Sequence, residues 1–365
     1  MSDTSTELPH VTLAMLTLVP GGMGGSETYA RELGRSLGAS RHVRATALVP
    51  AAAAGVVPGV PEVLAPEITP GASTAARLRT LVAATLRRRR LLARVAPGVV
   101  HYPFTVPLPR ARRSDAVVLT LHDVQHLDLP HLFSRAERLY RRFTYERAAR
   151  RADRVVTVSA FAKDRIVHHL GIPPERVTVA HLGVDPTAFT PHLGERERFL
   201  LYPARGWAHK NHARLVEAVR LLREDDPDLR LVLTGGALDD LGPLPDWVEV
   251  RGLVPRAELL ALYRSAACLV FPSLYEGFGI PPLEAMASGC PVAASDSGSL
   301  PEVCGDAAVL FDATDPRAIA AGVRAALADA DALARRGVER AREFTWEACA
   351  AAHEDAYLAA AQVRR

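Results

Sequence analysis

The stretch Leu269–Val303, LVFPSLYEGFGIPPLEAMASGCPVAASDSGSLPEV, decides the reading of this chain. Its apolar run CLVF reads as a strand that stops at Pro272. A loop of small residues follows, and a helix is expected from about Pro282 to Ser288, with proline suited to its first turn. A loop that runs into a helix start offers free backbone N–H groups and a dipole that favours anions. Glu276 stands before the Gly-Phe-Gly turn, and Glu284, eight positions later, just inside the helix. Carboxylates accept hydrogen bonds from hydroxyls, and turn amides meet phosphate or sugar oxygens. The combination suits a polyhydroxylated ligand that carries phosphate.

Working outward, strand and helix patterns alternate on both sides of this segment. Strands are expected at Val11–Leu18, Val43–Val49, Val99–Tyr102, Val117–Leu121, Asp153–Ser159 and Val177–Gly183. Helices are expected at Thr28–Leu37, Ala75–Arg94, Arg135–Arg151 and Ala160–His169, and the Ala/Gly/Pro-rich Ala51–Ala72 as a long loop. After a charged, Pro- and Gly-containing connection at Asp185–Glu197 the alternation restarts with FLLYPA, LRLVLTG, WVEVRGLV, ACLVF, PVAAS and AAVLF. Helices separate these at Asn211–Arg223, Arg256–Ser265 and the segment above. Near-continuous apolar strands separated by helices indicate parallel sheets covered on both faces. The fold class is α/β, two Rossmann-like domains facing a central cleft, with ligands beyond the strand C-termini. The expected domains are residues 1–190 and 191–345, followed by a terminal helix within 346–365.

Composition narrows the class. The chain has 365 residues, 48% hydrophobic and 23% charged, as in a globular protein of two domains. No charge-free run of eighteen apolar residues predicts a spanning helix, and the polar MSDTSTELPH start reads as a frayed tail. The cysteines, Cys268, Cys290, Cys304 and Cys349, lack metal-ligand spacing and fit a reducing cytoplasm. The net charge of +3 conceals an asymmetry: residues 1–185 hold 25 Lys+Arg against 15 Asp+Glu. This basic half suits anionic lipid or an anionic acceptor, or reflects an arginine-rich composition on solvated faces. Nucleic acid is disfavoured, because no aromatic residues interleave with the arginines.

Further candidate residues lie at strand ends. Gly21-Gly22-Met23-Gly24-Gly25 lacks the spacing of a dinucleotide fingerprint but permits close backbone approach. In YPARGWAHKNH (Tyr202–His212), Arg205 and Lys210 provide two cations for a diphosphate. His122-Asp123 ends a strand; His101, His126 and His131 carry no geometric argument. Gly235-Gly236 reads as a backbone approach to the ligand, and Ser297 and Gly298, in a loop lining the same cleft, are weaker candidates. Ser159 reads as a helix cap. The D-x-D strings at Asp226–Asp228 and Asp329–Asp331 fall away from the strand C-termini, so no metal site is expected.

The segment with Glu276 and Glu284 resembles the E-x7-E signature of retaining glycosyltransferases of family 4, which have the GT-B fold. The resemblance implies sugar transfer from a nucleotide-diphosphate donor to a hydroxyl of a glycan, glycolipid or natural product, with mannose from GDP-mannose the best match. It implies that Glu276 and His122 lie by the donor sugar with the backbone of Phe278, Gly279 and Ile280. It further implies that Glu284 binds the ribose, that Arg205, Lys210, Gly24 and Gly25 meet the diphosphate, and that Leu253 or Val254 reads the nucleobase. Where the family has glycines around the two cations, this chain has Ala204 and Asn211. The last helix, Trp346–Val363, is expected to return to the first domain. No cofactor or metal is implied, and the setting is cytoplasmic, with peripheral contact at the inner membrane face. A sugar-nucleotide epimerase and a non-catalytic sugar-nucleotide-binding protein are the alternatives.

Overall fold

A computed structural model describes residues 8–71 and 73–364; most of the polar start lies outside the described residues. Two compact units emerge. Unit 1 holds Met1–Val158, Ala162–Leu182 and Trp346–Arg365, and unit 2 holds Ser159–Phe161 and Gly183–Thr345.

In unit 1 the strands are β1 (His10–Ala14), β2 (Arg44–Pro50), β3 (Glu62–Ala65), β4 (Val99–Tyr102), β5 (Ala116–Thr120), β6 (Arg154–Thr157) and β7 (Val177–Val179). They form one parallel sheet in the order β3-β2-β1-β4-β5-β6-β7. The helices are α1 (Gly25–Gly38), α2 (Thr74–Leu86), α3 (Arg88–Leu92), α4 (Gln125–Asp128), α5 (Arg135–Arg141), α6 (Arg147–Arg151) and α7 (Ala160–Leu170). Buried Leu119, Val155, Ile166 and Val177 belong to one core cluster, and Leu16, Leu48, Leu91 and Leu108 to another.

Local readings change at several points, and β7 ends at Val179 rather than Gly183. β1 ends at Ala14 rather than Leu18: Met15, Leu16 and Leu18 stay buried, but the backbone turns, with Leu18 N–H donating to Met15 O (2.9 Å). The helix expected over Ala75–Arg94 breaks at Arg87 (φ −95°, ψ 10°), and the Arg88 guanidinium donates to the Arg110 and Ala111 carbonyls, each at 2.6 Å. The helix expected at Arg135–Arg151 is continuous but widens into a π turn over Arg142–Glu146.

Unit 2 repeats the plan with β8 (Glu197–Pro203), β9 (Arg230–Thr234), β10 (Val248–Gly252), β11 (Ala266–Phe271), β12 (Val292–Ser295) and β13 (Val309–Phe311), ordered β10-β9-β8-β11-β12-β13. All pairings are parallel. Its helices are α8 (His212–Leu222), α9 (Arg256–Ser265), α10 (Ile280–Ala287), α11 (Leu300–Cys304), α12 (Pro316–Ala328) and α13 (Ala330–Ala341). The order turns back between β8 and β11, and in unit 1 between β1 and β4. Doubly wound sheets open a crevice for ligands at the C-terminal side of such a point.

The last helix, α14 (Trp346–Val363), belongs to unit 1, where it lies against α1, β5 and β6 with Cys349, His353 and Tyr357 buried. All four cysteines are free and buried. No helix among the described residues is long and apolar enough to cross a membrane.

Candidate functional site

The loops after β8 and β11 emerge side by side at the turn-back point of unit 2. They bring Lys210 to Glu276, with Nζ 2.5 Å from Oε1 and side chains only 14% and 13% exposed. The chain holds just two lysines, Lys163 and Lys210, amid a large excess of arginine. A compact ammonium at 210 is therefore not a product of composition. Its position is fixed by the backbone: Tyr202 O–H donates to Lys210 O (2.7 Å), and Leu274 N–H donates to His209 O (2.8 Å), tying one loop to the other. A phenol in an otherwise apolar strand needs such a partner, and that need was the available signal for Tyr202.

Asn211 explains how the loop dispenses with the glycine that the family resemblance implied at this position. Its φ of 63° is left-handed, a region asparagine tolerates. Its Nδ2 donates to Pro272 O (3.1 Å) and Ala313 O (2.7 Å), while Oδ1 accepts from Arg214 (2.9 Å). Arg205 stands with its guanidinium carbon 5.4 Å from the Trp207 ring.

The Glu276 loop is braced from the side by the loop after β12. Ser299 N–H donates to Glu276 O (3.2 Å), and its hydroxyl lies 2.7 Å from Phe278 O. Ser295 Oγ donates to Ser273 O (2.6 Å). Gly298 (φ 66°) lies so close that an added Cβ would stand 2.7 Å from Glu276 O. Gly298 and Ser299 thus frame a loop that itself holds the candidate carboxylate. Gly206 and Gly235 have a comparable reason: a Cβ at 206 would meet Ala237 O at 1.9 Å, and one at 235 would meet Ala204 O at 2.4 Å. Contact between two loops requires these glycines, whatever ligand they meet.

The start of α10 differs from expectation. The helix begins at Ile280, so Glu284 sits a full turn inside rather than at the edge. Gly279 (φ 107°) is the cap, and Pro281 and Pro282 have no N–H. The amides of Gly279 and Ile280 are the donors left to that end, fewer than a free helix start provides. Phe278 is buried, edge-on to Phe344 at 5.8 Å. Glu284 is buried; Tyr263 O–H donates to its Oε2 (3.0 Å), and Arg256 stands 4.0 Å from Oε1. Burial outweighs both partners and pushes its carboxyl up to about 7. Leu253 and Val254 follow β10, with the Leu253 side chain exposed.

In unit 1, Gly24 (φ 57°) caps α1 and Gly25 opens it, within an exposed loop where Glu27 accepts from Gly21 N–H (2.9 Å). His122 Nε2 donates to Pro103 O (3.1 Å), its ring edge-on to Tyr29 at 5.1 Å. Beneath it runs a buried chain that the sequence did not announce. The Cys349 carbonyl can only accept, so His353 Nδ1 carries a proton (2.7 Å) and Nε2 does not. Tyr29 O–H therefore donates to His353 Nε2 (2.7 Å) and accepts from Thr120 O–H (2.8 Å). Thr120 in turn accepts from His101 Nε2 (2.8 Å), which leaves His101 Nδ1 to accept from Tyr357 O–H (2.8 Å). Every proton is assigned and every ring is neutral. Burial agrees, lowering His353 to about 4 and His101 well below the ordinary range.

Ser159, grouped with unit 2, donates its hydroxyl to Gly277 O (2.7 Å), and the Glu302 carboxylate accepts from the Ala160 and Phe161 amides (2.8 and 3.0 Å). The D-x-D aspartates are engaged elsewhere: Asp226 and Asp228 with Arg198 (2.5 and 3.6 Å), Asp329 with Arg336 (2.9 Å).

Comparison with known proteins follows the division into units. The profile described as "Glycosyltransferase Family 4" matches residues 23–188, and "Glycosyl transferases group 1" matches residues 187–344. The chain is 31% identical over 269 residues to O-antigen chain mannosyltransferase B of Escherichia coli, covering 67% of this chain and 71% of that protein. It is 32% identical over 397 residues to D-inositol 3-phosphate glycosyltransferase of Geodermatophilus obscurus, covering 94% and 86%. Two other relatives are spanned over only 54% and 65% of their length. Among solved structures, sucrose-phosphate synthase from Thermosynechococcus elongatus has a TM-score of 0.78 at 21% identity, covering 96% of this chain and 98% of that one. That likeness establishes the GT-B fold.

Proposed function

The chain belongs to glycosyltransferase family 4, and on that premise we propose that it moves a sugar, with retention, from a nucleotide-diphosphate donor to an acceptor hydroxyl. The observation that carries this reading is the Lys210–Glu276 pair at the turn-back point of unit 2. A half-buried cation already matched by a carboxylate is ready to exchange its partner for a diphosphate. Arg205 supplies the second positive charge. Glu276, released from Lys210, faces the sugar and stabilises positive charge at C1.

As the bond from C1 to the diphosphate oxygen breaks, the leaving diphosphate takes the acceptor's proton and the acceptor oxygen bonds to the same face. Glu284 accepts the ribose hydroxyls; the backbone at Phe278, Gly279 and Ile280 lines the sugar and phosphates; Leu253 or Val254 meets the base. His122 contacts the sugar, and Gly24 and Gly25 close over the phosphates. The proposed reaction needs no divalent metal: Asp226, Asp228 and Asp329 pair with arginines, and Lys210 and Arg205 would provide the charge a metal would bring. Mannose from GDP-mannose is the favoured donor, supported by the relative named as a mannosyltransferase. The acceptor is a glycan, glycolipid or natural product. The enzyme works in the cytoplasm, and its basic half contacts the inner membrane face.

A melting-temperature panel of nucleoside diphosphates and their sugars, with and without EDTA, tests this. One nucleotide family should stabilise the protein equally in both conditions. A panel with no stabilising nucleotide, or stabilisation that EDTA abolishes, would overturn the reading.

A further inference from the structure

Beyond His122, unit 1 has an open pocket of about 310 Å³. His126 and Leu127 form one side and Arg135, Arg138, Arg142 and Glu146 the other. The latter four follow at steps of three and four residues, hence on one helix face, and the π turn falls between Arg142 and Glu146. Such turns recur at functional sites.

The charges here are unbalanced. Neighbouring Arg141 is held over the Phe133 and Tyr145 rings (4.6 and 5.4 Å), and Glu146 pairs with Arg150 (3.3 Å). The guanidinium groups of Arg135, Arg138 and Arg142 have no acidic or aromatic partner among the described residues. Like charges on one helix face destabilise it unless an anion intervenes. His126 adds a second, independent deficit. It is 2% exposed; Nδ1 has no hydrogen-bond partner among the described residues, and Nε2 reaches only Glu146 Oε1, at a long 3.5 Å. Buried polar groups are almost always satisfied, and the exceptions ask for a ligand or water.

We propose that this pocket binds the phosphate group of a phosphorylated acceptor. Three guanidinium groups match a phosphate in charge and in fork geometry. Leu127 and Leu139 provide apolar contact beside it. Assigning the phosphate to the acceptor rests on the transferase reading above. The phosphate belongs to a soluble molecule or to a lipid headgroup, and Leu139 and Phe143, 55% and 58% exposed, stand ready for the second.

The test uses the full chain, an Arg138→Gln/Arg142→Gln double variant and His126→Gln, each checked for an intact thermal transition. Calorimetry compares glycerol 3-phosphate with glycerol; sedimentation compares phosphatidylcholine vesicles with and without phosphatidylglycerol. The wild type should bind the phosphorylated probe and not its neutral counterpart, in one arm or both, and both variants should bind about tenfold more weakly. Binding confined to the vesicle arm identifies a lipid phosphate, and binding confined to glycerol 3-phosphate a soluble one. A wild type that binds neither probe, or variants that bind like wild type, would overturn the proposal. Nucleoside diphosphate binding, measured in parallel, separates the two readings: its absence beside intact phosphate binding sinks the transferase account and leaves the pocket standing.

Discussion

At the turn-back point of unit 2 the loops carry formal charge, Lys210 against Glu276, with Arg205 on the same loop as the lysine. Beside that of unit 1 runs a buried chain of polar but neutral side chains: Tyr29 after β1, His101 on β4, Thr120 on β5, and His353 and Tyr357 on α14. The difference lies in what a ligand can displace. An ion pair gives up one partner to a competing anion at modest net cost, because the charge stays matched. A hydrogen-bond chain with every proton assigned has none to give without leaving a buried group unsatisfied. Unit 2 is therefore built to answer a charged ligand, and unit 1 to hold His122 still.

The largest expected effect tests the responsive half. Glu276→Gln keeps the shape, removes the charge and frees Lys210 from its competitor. It should lower kcat by about a hundredfold or more, with an unchanged or lower donor KM. Near wild-type kcat in steady-state assays would reduce Glu276 to a hydroxyl ligand.

Tyr29→Phe strikes the fixed half. It leaves His353 Nε2 without a donor and the Thr120 hydroxyl proton without an acceptor, so urea unfolding should show a loss of about 3 kcal/mol. Nucleoside diphosphate affinity should not change. Unaltered stability would mean that the chain contributes nothing to the fold.

Arg205→Ala and Lys210→Ala should each weaken nucleoside diphosphate binding by about 1.5–3 kcal/mol, read by calorimetry. Equal affinity in both would remove the cations from the site.

The smallest effect concerns Glu284, whose carboxyl burial pushes up to about 7. Only the ionised form accepts two ribose hydroxyls fully, so nucleotide affinity should rise about fivefold between pH 6 and 8. The pH slope should vanish in Glu284→Gln. Stability should run the other way: a raised carboxyl favours the folded state below about pH 4.5, and that contribution is lost as pH rises towards 7. A flat affinity profile in the wild type would place the ribose elsewhere.

These two halves were not equally readable in the sequence. The alternation of apolar strands and helices gave both sheets, and local spacing singled out Arg205, Lys210, Glu276 and Glu284 as candidates, because each motif is contiguous. The neutral chain was hidden: Tyr357 meets His101 across 256 positions, and no pattern within a window reports such a pairing. His101 accordingly carried no argument until its partners were known. Gly235 invited a ligand reading, yet loop-to-loop contact alone demands a glycine there. The break at Arg87 and the π turn at Arg142–Glu146 were also illegible, since helix periodicity continues through both.

The central claim is retaining transfer from a nucleotide sugar held by Lys210. The most direct measurement incubates the most stabilising sugar nucleotide without acceptor and follows the liberated sugar by proton NMR before mutarotation. Water then acts as acceptor on the donor's own face. The account predicts that an α-linked donor such as GDP-mannose gives the α anomer first, and that Lys210→Ala slows its appearance. The β anomer first, or no release of nucleoside diphosphate by the wild type, would contradict it.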